Sequence, residues 1–92
     1  MFSTSNMGLA AYCIASRRLK YVKTIGNHPN PAEFVFEDPD NIGLQLELEY
    51  INGETTVVAS DFLARLKSLR RSIDIAERQR VAAKRSQGAN RG

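Results

Sequence analysis

Residues 60–86 contain neither glycine nor proline, and nearly every position is a good helix former. The run SDFLARLKSLRRSIDIAERQRVAAKRS commits more than a quarter of the chain to one helix, with Ser60 as its expected cap. At about 1.5 Å per residue it spans roughly 40 Å, longer than a body made from the remaining residues is wide. Such a helix must project or pair. Phe62, Leu66, Leu69, Ile73, Ala76 and Ala83 follow steps of four and three, with Arg80 interrupting the seam and Leu63 widening the first turns. Beyond Ala76 the stripe thins to small residues and has little to bury.

The helix also divides the charge. Residues 1–64 carry four basic and eight acidic side chains, whereas residues 65–92 carry nine basic and two acidic. The net charge of +3 therefore hides an acidic body and a basic arm. The 92 residues make one domain, divided into a body over residues 1–75 and a basic helical extension with a flexible tail over residues 76–92. A core of that size rarely yields more than a few kcal/mol of net stability, so a partner subunit would help. The single cysteine, Cys13, excludes an internal disulfide, and no apolar run reaches bilayer length. Near the N-terminus the apolar stretch precedes the basic residues, the reverse of a secretory signal. The expected location is the cytoplasm of a bacterial or phage-infected cell.

In the body, Thr4 or Ser5 is placed to cap a helix through MGLAAYCIAS that buries Leu9, Cys13 and Ile14, with Tyr12 flanking. LKYVKTI (19–25) alternates as a strand, with Leu19, Tyr21, Lys23 and Ile25 on one face and Val22 and Thr24 on the other. The turn-rich GNHPNP leads to a second strand, EFVFE (33–37), whose Phe34 and Phe36 share a face. Residues 41–52 read two ways. Ile42, Leu44, Leu46, Leu48 and Tyr50 alternate as in a strand, with Asn52-Gly53 as a tight turn. Ile42, Leu46 and Tyr50 also fit a helix capped by Asp40 or Asn41, in which Leu48 and Ile51 widen the buried stripe. The Leu, Gln and Glu content favours the helix. The expected fold is α+β, ordered α-β-β-α-α, with a two-stranded hairpin and a long C-terminal helix.

The strings LAAYCIASRRLKYVK, EFVFEDP and EYINGETTVVASDFLARLKSLRRSI resemble a family of small bacterial and bacteriophage domains of unknown function. The likeness covers roughly residues 8–73. It implies a helix-strand-strand-helix-helix fold with helix over residues 41–52, and supplies no catalytic residue. Where the family pattern closes the first helix with glycine, this chain has Ser16-Arg17-Arg18.

Catalysis finds no constellation. His28, the only histidine, sits in a turn between Asn27 and Pro29 without an orienting carboxylate at a useful spacing. Cys13 lies among Ala and Ile and reads as a small hydrophobe. One Cys and one His do not make a metal site, and Glu37, Asp38 and Asp40 read as a turn and helix cap rather than a calcium loop. No nucleotide-binding loop is present, and no cofactor is expected.

What remains is the basic helix. Lys67, Arg71, Arg78 and Arg85 lie near one face with Asp74 between them, and Arg70, Arg80 and Lys84 broaden the patch. Lysines and arginines bind phosphates by releasing condensed counterions. With no aromatic after Phe62, binding would be backbone-dominated and indifferent to sequence. Asp74 and Glu77 can instead pair along the helix with neighbouring arginines. A membrane surface fits less well, since Val81 and alanines are all this half could insert. Two roles follow: a non-enzymatic, nucleic-acid-associated accessory protein, or an assembly protein of phage origin. The second would use Phe62, Leu66, Leu69, Ile73 and Ala76 to form a homo-oligomer or to pair with another subunit.

Overall fold

A computed structural model describes the backbone of residues 1–89 and the side chains of residues 1–82, so the side chains of Lys84 and Arg85 lie outside it, as do residues 90–92. The order is β1 (Phe2–Thr4), α1 (Met7–Ser16), β2 (Lys20–Ile25), β3 (Glu33–Glu37), α2 (Gly43–Ile51) and α3 (Ala59–Ala89). The fold is α+β, as expected, but its sheet has three antiparallel strands in the order β1-β3-β2. The additional strand pairs Phe2, Ser3 and Thr4 with Phe36, Val35 and Phe34. Three residues are too few to show an alternating pattern, which is why sequence periodicity does not reveal it.

That strand moves the cap of α1. Thr4 is held in β1 and its hydroxyl accepts the Asn6 N–H at 3.1 Å, so Asn6 caps the helix, its Oδ1 accepting the Leu9 N–H at 3.1 Å. The helix is buried nearly all round, from Leu9 through Cys13, and not only on the expected stripe. Ala10 and Ala11 let it approach the elements on either side closely. Tyr12, expected at the margin, is inside.

In β2 the expected two-face alternation is broken. The register with β3 shifts between Tyr21 and Lys23, a bulge that reverses the phase of the strand. Tyr21 and Thr24 therefore both face the core side, whereas Lys23 and Ile25 are exposed. The Tyr21 and Thr24 hydroxyls are hydrogen-bonded, Thr24 Oγ1 lies 2.8 Å from Ser72 Oγ, and Ser72 donates to the Leu69 carbonyl at 2.6 Å. This chain of hydroxyls binds the sheet edge to α3.

Residues 43–51 are helical. The cap differs from the expected Asp40 or Asn41: both Asp38 carboxylate oxygens accept amides, from Ile42 and Gly43, each at 2.8 Å. Asn41 is instead spent on the left-handed turn, with φ 58°. At Gly43 a side chain would run into the Phe2 ring, with a Cβ only 2.3 Å from its Cδ1. Long helix α3 starts at Ala59, one residue before the expected cap.

The core joins Leu9, Tyr12, Leu19, Phe34, Phe36, Leu46 and Leu69. Burying each large apolar side chain is worth about 1.5–3 kcal/mol, so these few residues decide whether the body folds. The α3 seam belongs to this core. Leu69 is 2% exposed, and Phe62, Leu66 and Ile73 pack around it. The stripe expected to meet a partner helix is thus covered by the protein's own body, because α1 supplies the facing surface. Contact also runs past residue 75, the expected limit of the body: Glu77 and Arg80 both touch the β2–β3 loop. The molecule measures 55 Å along its longest axis.

Candidate nucleic-acid interface

The packed seam orients everything else on α3. With about 3.6 residues per turn, fixing Leu69 and Ile73 against the body turns Lys67, Arg71 and Arg78 to the opposite side. All three are exposed, and so is Arg70 beside them. Among the described residues the contact ion pairs of α3 are Arg65 with Asp61 at 3.4 Å and Arg80 with Glu77 at 3.8 Å. Asp74 lies on the outer face without such a pair, leaving Lys67, Arg70, Arg71 and Arg78 unneutralised by contact. Four cations against one carboxylate form an outward positive strip.

Arg80 is placed differently from the others. Its guanidinium donates to the His28 carbonyl, while Glu77 Oε1 accepts the amides of Asn27 at 2.8 Å and His28 at 3.0 Å. Gly26 permits this approach, since a Cβ there would stand 3.1 Å from the Ala76 carbonyl carbon and 2.9 Å from Glu77 Oε1. Arg80 therefore holds a loop and contributes less to the strip than its sequence position suggests. His28 enters this contact through its backbone. The side chains of Lys84 and Arg85 lie outside the described residues.

The body contains a second charged group. Arg18 bridges Glu49 and Tyr12, donating to Glu49 Oε1 at 3.3 Å and to the Tyr12 hydroxyl at 3.2 Å, and forming an ion pair with Glu49 Oε2. Tyr12 donates to Glu49 Oε2 at 3.0 Å. The hydrogen bond from Arg18 holds the Glu49 carboxyl below its ordinary range, and burial raises the Tyr12 phenol. The triad locks the α1–β2 turn to α2, and its cation is already satisfied. Desolvation pushes the Cys13 thiol up to about 12, which keeps it un-ionised and unreactive at neutral pH.

A surface cleft of about 460 Å³ sets Arg17, Arg18 and Lys20 against Glu37, Asp38 and Asp40. Mixed signs cancel much of its field, so it is a poorer phosphate site than the α3 strip. Among the described residues no three His, Cys, Asp or Glu side chains gather as metal ligands, and no helix is long and apolar enough to cross a membrane. Leu48 and Ile51, expected to widen the buried stripe of α2, point outward with Leu44. No family model matches the chain, and no curated protein or solved structure matches it either.

Proposed function

We propose that the protein is a non-enzymatic accessory protein that grips nucleic-acid backbones with the outer face of α3. The observation carrying this reading is the exposure of Lys67, Arg71 and Arg78 on the side opposite Leu69, with exposed Arg70 flanking them, all without contact ion pairs. Packing holds the helix rigid, so the charges are presented at fixed spacing and little ordering entropy opposes binding. Their chemistry suits phosphate oxygens, and the absence of aromatics on this strip removes base stacking as a source of sequence preference. The acidic body faces away from the polyanion and limits how much of the protein can lie against it.

The test is fluorescence anisotropy of labelled single- and double-stranded DNA and RNA titrated with the full chain. Truncating the helix would also remove Glu77 and Arg80, which hold the β2–β3 loop, so point substitutions are the cleaner comparison. Lys67→Gln, Arg71→Gln and Arg78→Gln should each weaken binding by a similar factor for every sequence tried. Absence of binding at low salt would overturn the proposal.

A further inference from the structure

Helix α2 is apolar on two opposite sides. Leu46 is fully buried and Tyr50 packs on the core, yet Leu44, Leu48 and Ile51 are 66%, 52% and 68% exposed. These three follow i, i+4, i+7 spacing and form a ridge along the outer side of the helix. The sequence shows the cause: leucine or another large apolar residue at alternate positions from Ile42 to Tyr50 becomes, once wound into a helix, an apolar surface on both sides. The core covers one.

Beside the ridge runs a groove of about 450 Å³, lined by Tyr50, Val57, Ala59 and Phe62 where α2 gives way to α3. Val58 and Leu63, both more than half exposed, are the chain neighbours of its lining residues Val57, Ala59 and Phe62. Ridge and groove adjoin at the C-terminal end of α2, where groove-lining Tyr50 directly precedes Ile51 of the ridge; a two-fold interface needs both, since each copy must offer the protruding part and the recess.

We propose that this surface binds a second copy of the chain, with the α2 ridge of each protomer seated on the groove and α3 start of the other. Leu44, Leu48, Ile51, Val58 and Leu63 together expose on the order of 600 Å², and the groove walls bring this near the roughly 800 Å² per partner of a stable interface. An apolar patch of that size stands at the upper end of what a monomer exposes, where patches are often functional. The margins are complementary in charge: Glu47 and Glu54 lie on the α2 side, and Lys67 follows Leu63 on the α3 side. Crossing α2 onto α3 sets unlike charges together, whereas α2 against α2 would oppose glutamates. The interface meets the Phe62–Ile73 seam only at Phe62, because the core occupies the rest, and it leaves Arg70, Arg71 and Arg78 free on both protomers.

Sedimentation equilibrium of the full chain, without nucleic acid, tests this separately from the phosphate-binding reading. The wild-type chain should dimerise in the micromolar range and remain dimeric in high salt. Leu48→Glu and Leu63→Glu should each give a monomer with an unchanged far-UV spectrum, because both side chains are exposed in the protomer, while Val22→Glu on the sheet should leave the dimer intact. If a glutamate variant fails to fold, Leu48→Ala decides the matter, with dimerisation weakened roughly tenfold. A wild-type chain that stays monomeric into the millimolar range overturns the proposal, as does a dimer indifferent to Leu48 and Leu63.

Discussion

Glu77 accepts the backbone N–H of His28 at 3.0 Å, across 49 positions of sequence, and this contact fixes the middle of α3 to the β2–β3 loop. Glu77→Ala frees two loop amides and releases Arg80 from its ion pair. The group is partly exposed, so the expected cost is about 1 kcal/mol, read as a lower Tm. Faster hydrogen exchange at Asn27 and His28 would localise the effect.

Arg78 and Arg80 lie two positions apart with opposite expected roles. Arg78→Gln should weaken nucleic-acid binding and leave thermal stability within about 0.5 kcal/mol, as for an exposed surface substitution. Arg80→Gln should lower stability by removing the donor to the His28 carbonyl, with the smaller effect on binding. Paired melting and anisotropy measurements on both variants distinguish them.

Arg17 takes the left-handed conformation that closes α1, with φ 60° and its N–H bonded to the Ile14 carbonyl at 3.1 Å. Glycine adopts this conformation without a Cβ penalty. Arg17→Gly should therefore stabilise the fold by about 0.5–1 kcal/mol. Urea unfolding checks it, with a higher midpoint and an unchanged slope expected.

Acid should unfold the protein partly through Glu49. Its folded pKa lies below its unfolded value, so the unfolded chain takes up the proton more readily. The stability this supplies is complete above the ordinary carboxylate range and is lost as pH falls through the folded pKa. Glu49→Gln should flatten the dependence of Tm on pH in that acidic window relative to wild type.

The elements carrying strong local signals were legible in the sequence. The glycine-free run gives α3, the Phe34 and Phe36 pair gives β3, and the Leu69 seam gives the buried side that orients the basic strip. Features that depend on tertiary context were not. Strand β1 is too short to have a period, and Asp38 caps α2 from four and five residues away. The β2 bulge reverses a pattern that assumes unbroken pairing. The seam illustrates the limit most clearly: four-three spacing says that a helix side is buried, but not whether its cover is another copy or the chain's own α1. For Arg80 no local signal distinguishes a loop anchor from a phosphate contact, because both need the same guanidinium.

The central claim is that α3 binds phosphates through its outward cations, and the salt dependence of binding tests it most directly. For the wild-type chain, log K against log salt concentration should fall with a slope of about −3 to −4, corresponding to Lys67, Arg70, Arg71 and Arg78. Replacing Lys67, Arg71 and Arg78 together with glutamine should reduce the slope by about three units while leaving the melting curve in place. A slope unchanged by the triple substitution, or affinity independent of salt, would contradict the account.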